Sequence, residues 1–233
     1  RLCHTTALLG LREEALACCK TALALTPDSA FLHALEGQEA LGMGLAPRAA
    51  ASYLRAVKLS PREPDMLVNA AIALRAAGKP DGAVMRLRSA LALAPSSEAV
   101  YTELARAHEA NIGARGGTEA ACDARRHAAL LAPASAMHSL EHGNTQLAAQ
   151  RPSEASVALE RAVRLAPENP GLQALAYFGL GRAHFALGDA CRARRDLFDS
   201  TLLNPTDADV WHQLGMPRCK PMGMAYLGTR PQA

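Results

Sequence analysis

The sequence predicts an all-α chain built from repeated helix pairs, and three observations carry that expectation. Prolines recur on a fixed period, small residues recur at fixed distances from each proline, and the chain is alanine-rich and poor in aromatics. Of its 233 residues 49% are hydrophobic but only 4% are aromatic, a balance that excludes disorder and favours close helix packing over a β-sandwich. Twenty-five Lys+Arg against 22 Asp+Glu leave a net charge of +3. That is far from the basic balance that would make a phosphate backbone the default partner, so no nucleic-acid partner is expected. Apolar runs are broken by charge or proline well short of the roughly 20 residues a bilayer-spanning helix needs, so no membrane insertion is expected.

The prolines set the ruler. Pro27, Pro61, Pro95, Pro133, Pro167 and Pro205 each close a run of the type A-x-x-L, at spacings of 34, 34, 38, 34 and 38 residues. This is a 34-residue period with two four-residue insertions. With each proline at position 32 of its unit, position 8 is small: Gly37, Ala71, Ala105, Gly143, Gly181 and Gly215. Position 20 is alanine in six units, as Ala15, Ala49, Ala83, Ala121, Ala155 and Ala193. Position 27 is Ala22, Ala56, Ala90, Ala128 and Ala162, then Ser200. Two antiparallel helices, A and B, approach closely only where the side chain is a hydrogen or a methyl. Glycines near position 15 (Gly10, Gly44, Gly78, Gly188) suit the turn from helix A into helix B, where a residue free to take positive φ ends the first helix. The proline stops helix B, and the polar residues after it, as in TPDS, APSS and NPTD, can cap the next helix A.

Small-8, Ala-20, Ala-27 and Pro-32 on a 34-residue period resemble the tetratricopeptide repeat (TPR) family, over almost the whole chain. The resemblance implies a right-handed α-solenoid of helix-turn-helix repeats, with a TPR array over 1–215 and an irregular tail over 216–233. Six units are recognisable, the first truncated because Arg1 falls at about position 6, and a seventh starts with Trp211, Leu214 and Gly215 at positions 4, 7 and 8. A start inside a helix A is expected of a fragment of a longer array. The fourth unit carries its insertion between its helices, around ANIGARGGTEA, where Gly113, Gly116 and Gly117 predict a longer flexible loop. The insertion in the sixth, around ENPGLQ, is expected to lengthen or reorient the start of its first helix. Pro217 and Pro221 forbid a regular helix after Gly215.

In the family, A helices line a concave inner face. Positions 2, 5, 9 and 12 share one side of a helix, and the residues there give an unusually apolar stripe. The candidate partner-binding residues are Phe31, Val68, Ile72, Arg75, Arg106, Leu140, Asn144, Phe178, Arg182 and Phe185. They would suit another protein's peptide or helical segment that offers apolar anchors and a few acids. Co-chaperones of the family grip a carboxylate with Lys and Asn at positions 5 and 9, Asn at 6 of the next unit, and Lys and Arg at 2 and 6 of the third. Here only Asn69 fits, among Ala34, Gln38, Ala99 and Glu103. Nor is the asparagine ladder at position 6 present that resembles the arm of an O-linked N-acetylglucosamine transferase.

No catalytic residue, metal or cofactor is expected. The string HSLEH, His138 to His142, matches the zinc-binding pattern of inverted zinc proteases, but the register puts His142 on the packing side of helix A. CRARR (Cys191 to Arg195) and RRH (Arg125 to His127) lie on B helices beside acids and are expected to form a solvated outer face. The six cysteines form no CxxC pair and fall in helical segments, Cys19 at core position 24, so free packed thiols in the cytoplasm or another reducing compartment are expected. The function implied is a non-catalytic interaction scaffold, holding a partner segment in the groove or serving as a subunit of a larger assembly. The alternative is the recognition arm of a transferase or hydroxylase whose catalytic domain lies outside this chain.

Overall fold

The computed structural model describes residues 11–111 and 116–215, without the side chains of Trp211 and Leu214. All described secondary structure is helical: α1 (Arg12–Leu25), α2 (Ala30–Gly42), α3 (Ala46–Leu59), α4 (Pro64–Ala76), α5 (Pro80–Leu93), α6 (Glu98–Ala110), α7 (Gly117–Leu131), α8 (Ala136–Ala148), α9 (Pro152–Leu165), α10 (Pro170–Ala186), α11 (Ala190–Leu203) and α12 (Ala208–Leu214). The chain forms two compact units, Arg1–Pro133 and Ala134–Ala233, and within each one successive helices pack on their neighbours. The tail over 216–233, Gly10, Gly113, Cys3 and Cys219 lie outside the described residues.

Local chemistry sets the boundaries. Helices α4, α5, α9 and α10 start on a proline, whose missing N–H costs nothing in the first turn. Each B helix from α1 to α11 ends at the leucine two residues before the period proline. Gly44, Gly78 and Gly188 take φ of 75°, 72° and 81°. The next backbone N–H then returns to the carbonyl five residues earlier, as from Leu45 to Ala40, Lys79 to Leu74 and Asp189 to His184. In the fifth repeat that same position is Gln150, the one described non-glycine residue with positive φ, at 58°. Its turn still closes through Arg151 N–H to the Gln146 carbonyl at 2.9 Å.

The small positions mark the seams. Ala15, Ala49, Ala83, Ala121, Ala155 and Ala193 are fully buried. A Cβ on Gly37, Gly143 or Gly181 would stand 2.7 Å from the Tyr53 ring, 2.5 Å from Leu159 Cγ or 2.6 Å from Leu197 Cγ. Position 8 of helix A therefore receives the position-24 side chain of helix B. Ser200 replaces alanine at position 27 without loss, because its hydroxyl donates to the Ala174 carbonyl at 2.8 Å. In unit 1 a continuous cluster runs from Leu16 through Leu67, Leu74 and Leu87 to Ala124. In unit 2 Leu140, Leu159, Leu180 and the alanines between them form the core.

Both insertions fall where the period places them. Residues 111–116 separate α6 from α7, against three residues between the other A and B helices, and α10 has 17 residues where the A helices α2, α4, α6 and α8 have 13. Some local expectations need correction. Gly117 is the buried first residue of α7 and not part of a loop. Ser29 and Asp207 cap α2 and α12, but the Ser97 side chain makes no cap bond to α6. Cys18 is disulfide-bonded, while Cys19, Cys122 and Cys191 are free. That bond overturns the expectation of free thiols throughout and removes the cysteine argument for a reducing compartment. Arg125, assigned to a solvated outer face, is buried, because it stands at core position 24 of its repeat. Among the described residues no helix is long and apolar enough to cross a membrane.

Candidate functional site

On α10, Leu175, Phe178, Arg182 and Phe185 recur at three, four and three residues and so share one face of the helix. Leu175 and Phe185 are 49% and 52% exposed, Arg182 is exposed and Phe178 is half-buried. The Arg182 guanidinium carbon lies 5.9 Å from the centre of the Phe178 ring, within cation–π range. Asn144 of α8 is also exposed, and its Oδ1 lies 3.3 Å from where a Cβ on Gly179 would be. The fifth and sixth repeats thus present an apolar strip with a cation along it and an amide beside it. Leu140, expected on this face, is only 3% exposed and sits in the core with Ala155, Leu159, Ala176 and Leu180. So buried, it offers little surface to a partner and is withdrawn as a partner contact.

Unit 1 places its share of the residues differently. Phe31 is 57% exposed on α2, whereas Val68 and Ile72 of α4 are half-buried, Val68 against the core cluster. Arg75 and Arg106 converge on one carboxylate. Arg75 Nη2 lies 3.3 Å from Glu103 Oε2 and Arg106 Nη1 lies 2.6 Å from Glu103 Oε1. Glu103 is largely buried, so this triad carries a single net positive charge. The sequence reading missed Glu103 as their partner, although the i, i+3 spacing of Glu103 and Arg106 on one helix was a usable signal.

Several other titratable groups make structural contacts. Glu36 accepts from Arg48 and, at 2.9 Å, from Ser52. Burial would raise its carboxyl, but the hydrogen bonds and the charge of Arg48 outweigh it and hold the group below the ordinary value. The reverse holds for Asp196. Burial raises it, and the bond to His184 Nδ1 at 2.6 Å only partly offsets that. His138 Nδ1 lies 3.8 Å from the Glu141 carboxylate, and the His142 ring meets the Gln146 amide at 3.1 Å. Both histidines of the zinc look-alike thus make contacts within their own helix. No group of three or more metal-capable side chains stands together among the described residues.

Paired helices with glycine or alanine at the crossing, glycine at the turn and an exposed A-helix strip define a helical-repeat protein. The family model for the tetratricopeptide repeat matches residues 34–98 and 140–208, and the chain belongs to that family. No curated protein matches the sequence. Among solved structures the chain is similar to PilW, described as a widely conserved type IV pilus biogenesis factor, at TM-score 0.72 and 16% identity over 91% of this chain and 95% of that one. It is similar to MamA at TM-score 0.65 and 19% identity, covering 77% of this chain and 94% of that one. It is also similar to YrrB, described as a TPR protein with an unusual peptide-binding site, at TM-score 0.65 and 14% identity over 83% and 96%. At these identities the likeness concerns the fold.

Proposed function

We propose that the chain is a protein-interaction scaffold, and that the A-helix face of its fifth and sixth repeats holds a helical or extended segment of another protein. The observation that carries the reading is the strip on α10, with Leu175 and Phe185 exposed, Phe178 half-buried and the exposed Arg182 guanidinium over the Phe178 ring. A partner suited to it carries apolar side chains three or four residues apart and an acid opposite Arg182. Asn144 adds a donor and an acceptor at the edge. Within unit 1, Phe31, Val68 and Ile72 are apolar as well, while Arg75 and Arg106 already share Glu103, so a partner's acid there competes with a carboxylate in place. Among the arginines of the A-helix stripe, affinity for acids is therefore concentrated at Arg182.

Phe178→Ala and Arg182→Glu test the reading, with melting temperature and recovery of co-purifying proteins measured on the same preparations. Each is expected to weaken partner capture by about 1 kcal/mol or more while helical content is unchanged. If both variants remain folded and capture the same partners as wild type, the A-helix face is not the binding surface. A Phe178→Ala variant that only melts earlier would assign the ring to packing instead.

A further inference from the structure

A second surface, on the first two repeats, gathers three cations that have no acid of their own. An open cleft of about 650 Å³ lies between α1, α2 and α3, lined by Lys20 and Leu23 of α1, Pro27 and Asp28 of the turn, and Arg55, Lys58 and Leu59 of α3. This volume is in the range of ligand-binding sites. Lys20, Arg55 and Lys58 are all exposed and have no hydrogen-bond or ion-pair partner among the described residues. Of the acids in the wall, Glu36 is already taken up by Arg48 and Ser52, which leaves Asp28 alone against three cations. The whole chain carries only +3, so this cleft concentrates positive charge that the rest of the surface balances.

Two apolar side chains stand among those cations, Leu59 at 39% exposed and the half-buried Leu23. His33 forms part of the wall, its Nε2 donating to the Pro27 carbonyl at 2.9 Å, which ties the turn to α2 and gives the cleft one rigid side. A surface meant only for solvation gains nothing from three like charges around leucines, because their mutual repulsion is unrelieved. We propose that this cleft is a second docking site, and that its occupant is an acidic peptide segment of a partner protein, with carboxylates flanking a leucine-type anchor. The carboxylates would meet Lys20, Arg55 and Lys58, and the anchor would cover Leu23 and Leu59. The site is independent of the A-helix face, so one chain would hold two segments at once.

The test is fluorescence anisotropy with a fluorescein-labelled octapeptide in which pairs of Asp and Glu flank two leucines. Saturable binding to the wild-type chain is expected, weakening as salt is raised. The triple variant Lys20→Glu, Arg55→Glu, Lys58→Glu should bind at least about tenfold more weakly with an unchanged circular dichroism spectrum. Lys58→Gln alone should cost about two- to fivefold, and it reports on the site even if the triple variant folds poorly. Phe178→Ala with Arg182→Glu should leave this binding unchanged, which separates failure of this site from failure of the A-helix face. The proposal is overturned if the wild type does not bind the peptide, or if the Lys58→Gln and triple variants bind it equally well. It is overturned in favour of nucleic acid if a uridylate decamer displaces the peptide at lower concentration than the unlabelled peptide does.

Discussion

The fourth repeat closes its helix pair in the opposite way from the fifth and sixth. In the latter two a glycine at position 8, Gly143 or Gly181, receives a fully buried leucine, Leu159 or Leu197, and the contact at that crossing is apolar. In the fourth, position 8 is Ala105 and position 24 is Arg125, whose side chain is 6% exposed. Arg125 is held by Glu109 through two bonds, Nε to Oε1 at 3.0 Å and Nη2 to Oε2 at 3.1 Å. The difference teaches that the seam requires filled volume and satisfied polar atoms, and that the residue type is secondary. A guanidinium can take the place of a leucine provided a carboxylate on helix A meets it bidentately.

The largest effect should follow from breaking the charged joint. Glu109→Ala is expected to destabilise by about 2–4 kcal/mol, because Arg125 stays buried without its bidentate partner; the partial exposure of Glu109 keeps the cost below the limit for a fully buried pair. The double variant Glu109→Gln, Arg125→Leu converts the joint to the apolar kind and should return to within about 1 kcal/mol of wild type in denaturant unfolding. A Glu109→Ala chain that unfolds with wild type would mean the ion pair does not hold the seam.

The apolar joint should be nearly as sensitive, to a single methyl. Gly143→Ala places a Cβ 2.5 Å from Leu159 Cγ and 3.2 Å from the Ala155 carbonyl, an overpacking expected to cost about 1–3 kcal/mol. The reverse change at the matching position, Ala105→Gly, should cost only about 1 kcal/mol, from helix propensity. Equal costs for the two would show that the joints are not built differently. The smallest effect concerns the fifth repeat's turn, where Gln150 holds a left-handed conformation that Gly44, Gly78, Gly116 and Gly188 hold in the others described. Gln150→Gly should raise stability by up to about 1 kcal/mol, read as a higher denaturation midpoint. An unchanged or lower midpoint would mean that the glutamine carries no backbone cost there.

The fold was legible in the sequence because close helix crossings leave few choices. Glycine or alanine at position 8, alanine at 20 and glycine at the turn are each favoured by geometry, and Gly37, Gly143 and Gly181 lie at buried seams while Gly44, Gly78 and Gly188 take positive φ. Position 24 was not legible in the same way. Cys19 was recognised there as core, but Arg125 in the same column was assigned to solvent on its charge, because its partner Glu109 is 16 residues away across an insertion. That Phe178, Arg182 and Phe185 share one side of α10 followed from helical phase alone. Leu140 did not follow, because helical phase gives the direction of a side chain but not how closely the neighbouring helices cover it. The cleft of Lys20, Arg55 and Lys58 escaped the sequence reading altogether, since it joins three elements whose charges look unremarkable one at a time.

The longer α10 has a consequence for how such a chain can change over generations. Four residues advance an α-helix by about 6 Å and bring it to within roughly 40° of a whole turn. The chain arriving from α9 therefore meets α10 on nearly the same side as it would without the addition, and every contact from Ala174 onward keeps its place. One or two extra residues would have swung the point of arrival by roughly 100° or 200° and forced the connection to cross over the helix end. A change of length at this junction is thus tolerated in whole turns and resisted in single residues.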